Sequence, residues 1–148
     1  MEKIVIYADG SCIGNPGPGG FAALILIDWK KEIVKWKWHD TTNNQMELMA
    51  VIQALMFVEK SHLDREIIFF LDSQYVLHGV TKYMEKWLTN WWRLATGKPV
   101  KNQEQWKKLH ELMQWKTISW QRVEAHATDQ LNNQVDELAR AEAMKLVR

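Results

Sequence analysis

The sequence predicts an α/β fold: a five-stranded mixed sheet, its first three strands antiparallel, with helices on both faces. Three observations carry this. Apolar runs and helical periodicities follow one another in the order β-β-β-α-β-α…-β-α, the pattern of a layered sheet-and-helix domain. The first three β-rich segments are joined by connections too short for crossover helices, so their pairing should be antiparallel. The 148 residues, 47% apolar and 25% charged, suffice for a buried core without disulfide or structural metal, so one domain over 1–148 is expected.

Taken in order, Ile4-Val5-Ile6-Tyr7 is a short β-rich run that stops at Asp9-Gly10, and Gly14 to Gly20 reads as a Gly/Pro turn region. Phe21 to Ile27 is nearly all apolar, as expected of a strand covered on both faces. Ile33 to Trp38 alternates, with Ile33, Lys35 and Lys37 on one side and Val34, Trp36 and Trp38 on the other. Thr42 or Asn43 caps a helix that begins at Asn44 and reaches about Lys60. Glu47 falls in its first turn and shares a face with Val51, Ala54 and Val58, which places this acid at the sheet's edge, pointing inward.

Glu66 to Leu71 is the fourth strand, ending at Asp72, and Ser73-Gln74 open a helical stretch broken near Gly79. Lys82 to Arg93 and Gln103 to Trp115 read as helices separated by the breaker run Thr96-Gly97-Lys98-Pro99. Ile118 to Val123 is the fifth strand. A polar loop follows His126, then a helix from about Asn133 to Leu146 that packs through Val135, Leu138, Ala139 and Leu146. The chain holds no internal repeat, low-complexity tract or linker.

Composition excludes several classes. The single cysteine, Cys12, rules out an intrachain disulfide and a Cys-rich zinc cage, and suits a reducing compartment. The N-terminus carries only five apolar or aromatic residues before Asp9, too few for a signal peptide, and no apolar run approaches the roughly 20 residues of a membrane span. A cytoplasmic monomer with no obligate protein partner is expected.

The net charge of +1 hides a polarised distribution. Between Lys82 and Lys108 seven basic residues stand against Glu85 and Glu104, a local +5, leaving 12 basic and 16 acidic residues elsewhere. A localised basic segment is what a polyanionic partner would use. Glycines and prolines crowd Asp9 to Gly20, but the stretch lacks the Gly-Lys-Ser/Thr of a P-loop and reads on pattern rules as a plain loop.

Four acids stand where acids are costly. Asp9 and Asp72 each close an apolar strand, Glu47 lies on the inward face of a helix, and Asp136 sits one turn into the last helix on the face of Ala139 and Ala143. Carboxylates grouped at a sheet edge repel one another and lose hydration, and a bound cation relieves both costs. Oxygen-only donors favour Mg²⁺ or Mn²⁺ over Zn²⁺. Taken singly, Asp9-Gly10 is equally a turn pair and Asp72-Ser73 equally a helix cap.

Five segments, in order over essentially the whole chain, resemble the ribonuclease HI family. They are Tyr7-Ala8-Asp9-Gly10-Ser11-Cys12, the run from Thr41 to Ala50, Asp72-Ser73-Gln74-Tyr75-Val76, Lys98-Pro99-Val100-Lys101-Asn102, and Asp136-Glu137-Leu138-Ala139-Arg140. The resemblance implies an RNase H-like fold and an endoribonuclease that hydrolyses the RNA strand of RNA–DNA hybrids to 5′-phosphate and 3′-hydroxyl products. It implies that Asp9, Glu47, Asp72 and Asp136 hold two Mg²⁺ ions, with Mn²⁺ as a substitute, and that His126 assists proton transfer or product departure. It further implies that Cys12, Asn15, Asn43, Asn44 and Gln74 meet the hybrid in its minor groove, where amides answer a 2′-hydroxyl. Thr42 and Asn44 match a pocket for a DNA-strand phosphate, and Asn43 and Asn44 serve equally as helix caps.

The Lys82–Lys108 segment corresponds to the family's basic protrusion, in which Lys86, Lys98 and Lys101 would meet phosphates. Trp87 and Trp91 are expected on one helix face, and with Trp92 they read mainly as packing for the protrusion. The chain departs from bacterial relatives at Arg122-Val123-Glu124-Ala125-His126-Ala127, where a Lys-Gly pair commonly precedes the histidine, and in the proline-free stretch Thr128 to Asn133. Altered turnover and metal optimum are expected from this loop. Two other readings share the fold: a hybrid-binding module that does not cut, and a DNA-cutting relative. Four intact acids oppose the first, and the short chain with its Asn43, Asn44 and Gln74 opposes the second.

Overall fold

Ile4, Ile6 and Ala8 point to one side of a strand and Tyr7 to the other, and each set finds its own apolar layer. The strand is β1 (Ile4–Cys12), the centre of a sheet that includes β2 (Gly17–Ile27), β3 (Lys30–Thr41), β4 (Ile67–Leu71) and β5 (Ile118–Arg122). The computed structural model describes residues 2–123 and 129–147. The sheet order is β3-β2-β1-β4-β5. β1, β2 and β3 pair antiparallel, whereas β4 lies parallel to β1 and β5 parallel to β4, so the mixed sheet is as the sequence predicts.

One face is covered by α1 (Asn43–Lys60), with α4 (Gln103–Met113) behind it. Val51, Ala54 and Val58 are buried there, on the face shared with Glu47. The other face is covered by α5 (Gln130–Met144), whose Val135 and Ala139 pack on Ala22 and Leu24 of β2. Helices therefore lie on both faces. Thr42 is the cap of α1: its hydroxyl accepts from the Gln45 backbone N–H at 3.2 Å, and the Gln45 side chain accepts from the Thr42 N–H.

Several boundaries differ from those read in the sequence. β1 does not stop at Asp9 but continues to Cys12, because Ser11 and Cys12 pair with Gly20 and Gly19, and β2 accordingly begins inside the Gly/Pro stretch. Ladder pairing between two strands overrides local turn preference there. β3 extends beyond its alternating segment and forms an exposed edge of the sheet, with Trp36 and Trp38 half in water. α5 starts three residues early because the Asp129 side chain accepts from the Asn132 N–H at 3.1 Å and caps the helix.

The segment after Asp72 departs further. α2 (Gln74–His78), capped by Ser73, runs without a break through one wider, π-helical turn (Gly79–Tyr83) into α3 (Met84–Thr89). Gly79 is no helix stop: a Cβ there would overlap the Trp106 ring, so glycine is what admits this fully buried tryptophan. α3 ends at Thr89, not Arg93, because the chain reverses through Trp91 and Trp92, both at positive φ. Trp87 and Trp91 therefore share no helix face. Trp87 packs on Tyr83, Trp92 and Trp106, while Trp91 is 86% exposed. α4 likewise stops at Met113, two residues short, before Trp115 at φ +65.

Candidate active site

The fold brings two acids into the protein and sets two more beside them. Asp9, on the central strand, is 6% exposed, and Glu47, in α1, is 7% exposed. They meet because α1 lies directly on Gly10: any Cβ at that position would overlap the backbone of Met46 and Glu47. The Gly10 N–H donates to Asp9 Oδ1 at 2.9 Å. Asp72 follows the last residue of β4, half-buried, and Asp136 projects half-exposed from α5.

Electrostatics shows how tightly these groups are coupled. Burial pushes the Asp9 carboxyl up to about 7, and a hydrogen bond and repulsion from Asp136 add to the rise, while Glu47 and the Gly10 N–H act against it. Burial likewise raises Glu47 well above the usual carboxylate range, and Asp9 and then Asp72 push it further. Arg140 Nη2 lies 2.8 Å from Asp136 Oδ2, one helical turn on, and partly offsets that charge.

The four acids thus interact in pairs at one end of the sheet: Asp9 with Glu47, Asp9 with Asp136, and Glu47 with Asp72. Among the described residues no three His, Cys, Asp or Glu side chains are drawn into a single ligand cluster. The donors are oxygens throughout, the chemistry of a site for a hard divalent cation. Asp136 stands nearly two turns into its helix, because α5 begins at Gln130.

The residues expected to meet substrate lie around this end, and several are held by local bonds. Cys12 is turned partly inward, its thiol donating to the carbonyls of Thr41 at 3.3 Å and Gly17 at 3.5 Å. Burial raises this thiol. Asn15 Oδ1 accepts from the Asn43 N–H at 2.9 Å, tying the Gly/Pro loop to the start of α1. Thr42 is engaged in its capping box, whereas Asn43, Asn44 and Gln74 are exposed. Lys86 on α3 and Lys98 and Lys101 in the following loop are exposed. His126 and the altered segment 124–128 lie outside the described residues.

Sequence reading missed a polar relay that joins these parts. Thr41 Oγ1 donates to Gln45 Oε1 at 2.9 Å, and Gln45 Nε2 donates to Asn102 Oδ1 at 3.3 Å. Asn102 Nδ2 and Trp106 Nε1 both donate to the Tyr75 hydroxyl at 3.0 Å. α1, α2 and the loop carrying Lys98 and Lys101 are thereby set relative to one another. The only sequence signal was that Gln45, Tyr75 and Asn102 each stand inside a quoted segment.

Oxygen-donor acids gathered at one end of a mixed sheet fit the class of phosphodiester hydrolases that work with a divalent cation. The RNase H family model matches residues 1–144, and the chain belongs to that family. It is a ribonuclease, a hydrolase of phosphodiester bonds. The chain is 45% identical over 144 residues to a ribonuclease H of Neorickettsia sennetsu, covering 97% of this chain and 94% of that protein. Among solved structures it is similar to LC9-RNase H1, a type 1 RNase H with the type 2 active-site motif, at TM-score 0.87 and 26% identity over 99% of this chain and 75% of that one. LC11-RNase H1, solved in complex with an RNA/DNA hybrid, shares the fold at TM-score 0.75 and 22% identity, over 99% of this chain and 100% of that one.

Proposed function

We propose that this domain cleaves the RNA strand of RNA–DNA hybrids through Asp9, Glu47, Asp72 and Asp136 acting with two divalent cations, Mg²⁺ or its substitute Mn²⁺. The observation that carries the reading is the placement of two buried carboxyls, Asp9 and Glu47, beside the half-buried Asp72 and the half-exposed Asp136, with Asp9 pushed up to about 7. Family membership and the hybrid bound by the similar LC11-RNase H1 support the substrate. Asp9, Glu47, Asp72 and Asp136 would hold the cations, which would supply Lewis-acid polarisation of the scissile phosphate and activation of a water.

The chain's own groups prepare that chemistry. Asp9 and Glu47 would hold the cations through their carboxylate oxygens, and the Gly10 N–H keeps Asp9 Oδ1 in place. Asp72 and Asp136 contribute oxygens at the solvent side, with Arg140 holding Asp136 in orientation. Asn43, kept against Asn15, joins Asn44, Gln74 and Cys12 in reading 2′-hydroxyls, and Thr42 and Asn44 hold a DNA-strand phosphate. Lys86, Lys98 and Lys101 contact phosphates further out. His126 assists proton transfer or product departure. No helix among the described residues is long and apolar enough to cross a membrane, and the reading is of a monomer at work in the cytoplasm.

The test uses a short RNA–DNA hybrid with labelled RNA beside matched RNA–RNA and DNA–DNA duplexes, in Mg²⁺, Mn²⁺ and EDTA. The expected result is cleavage of RNA in the hybrid only, to 5′-phosphate ends, abolished by EDTA. Tight hybrid binding without cleavage in either metal would replace the enzyme by a binding module.

A further inference from the structure

A cavity of about 450 Å³ opens between the end of β3, the first two turns of α1 and the first turn of α4. None of the four acids and none of the residues expected to meet the hybrid lines it. Trp38, Met46 and Met49 line it, giving a polarisable apolar surface. Asp40 on β3 and Glu104 on α4 both line it, and no basic residue contributes to the lining.

The two carboxylates are available. Asp40 has no ion pair among the described residues, and Glu104 reaches only Lys107, at 4.0 Å, with its own side chain 90% exposed. The contrast with Trp36, the neighbouring indole on the same face of β3, is informative. Lys37 Nζ lies 4.2 Å from the Trp36 ring, so that indole has its cation. Among the described residues no cation of this chain lies over Trp38. A second hollow of about 360 Å³, sharing Trp38 and Met49, continues the groove past Trp36 and Val34.

We propose that this groove binds an arginine-bearing segment of a protein partner, with the guanidinium in the 450 Å³ cavity and an adjoining apolar side chain in the second hollow. An indole face attracts a planar cation, and a guanidinium stacked on it keeps its N–H edge free for the carboxylates of the lining. Lysine would supply one compact charge and lose the stacking. The second hollow argues for a peptide rather than a free guanidine, because a small guanidine leaves it unfilled.

The experiment follows amide and indole N–H resonances of the metal-free protein during titration with butylguanidinium, its neutral isostere butylurea, and acetyl-Arg-Leu-amide. Shifts centred on the Trp38 indole and Gln105 are expected for both cations and none for butylurea, with the dipeptide binding at least ~10-fold tighter than butylguanidinium, about 1.4 kcal/mol. The Asp40→Asn, Glu104→Gln double variant changes two exposed side chains and should weaken both cations at least ~10-fold while leaving hybrid cleavage unchanged. Equal affinity for butylurea, or shifts confined to Asp9, Glu47 and their neighbours, would overturn the site. Equal affinity of butylguanidinium and the dipeptide would overturn the peptide as its occupant.

Discussion

Replacing Asp9 by Asn should stabilise the metal-free protein, and by an amount that depends on pH. The Asp9 carboxyl titrates at about 7 in the fold against an ordinary 3.8. At ~1.4 kcal/mol per pH unit that difference corresponds to about 4 kcal/mol once both forms are ionised. A pKa raised by folding means that stability is fully present below 3.8 and is lost as pH climbs through about 7. The wild type therefore carries about 2 kcal/mol of this cost at pH 5 and about 4 kcal/mol at pH 8. Asn removes the charge and keeps the oxygen that accepts from Gly10 N–H. In EDTA at pH 8 the variant should melt about 10 °C higher, taking ~2–4 °C per kcal/mol for a chain of this size. The gain should shrink toward pH 5, and also in excess Mg²⁺, which stabilises the wild type by binding to it. Calorimetry across pH 5–8, with and without Mg²⁺, measures all of this. A variant melting at or below wild type at every pH would refute the claim that Asp9 is a strained, desolvated acid.

Other consequences are as specific. Gly10→Ala forces a Cβ into the backbone of α1; chemical denaturation should show a loss of at least ~2 kcal/mol, and cleavage should fall with it. Thr42→Ala removes the α1 cap and should cost about 1 kcal/mol in the same assay, with weaker hybrid binding as a second readout. Lys98→Ala and Lys101→Ala should each lower the slope of log Kd against log salt by about 1 if each meets one phosphate, leaving the cleavage rate at saturation unchanged. Exchanging residues 124–133 for a Gly/Pro-containing loop should change turnover and the optimal metal concentration; unchanged kinetics would remove that loop from the account.

The strands and helices with strong period were legible in the sequence, because burial selects apolar residues at fixed spacing. Val51, Ala54 and Val58 showed which face of α1 packs, and so which way Glu47 points. Boundaries set by distant partners were not legible. Nothing local says that Ser11 and Cys12 remain in a ladder with Gly19 and Gly20, or that Gly79 is small because Trp106 must pass it. The reversal at Trp91 and Trp92 is similarly a tertiary result, fixed by the Trp92 carbonyl accepting from Val100 N–H and the Gln103 side chain. The four acids were readable as residues out of place, but their pairwise coupling and the relay through Gln45, Asn102 and Tyr75 needed coordinates.

The most direct measurement of the central claim is single-turnover cleavage of a saturating hybrid by Asp9→Asn, Glu47→Gln, Asp72→Asn and Asp136→Asn, each with its hybrid affinity measured alongside. The account predicts that every variant binds hybrid within a few fold of wild type and cleaves at least ~10²-fold more slowly in Mg²⁺. Full-rate cleavage by the Asp9 or Glu47 variant would contradict it, because the buried pair would then be no part of the chemistry.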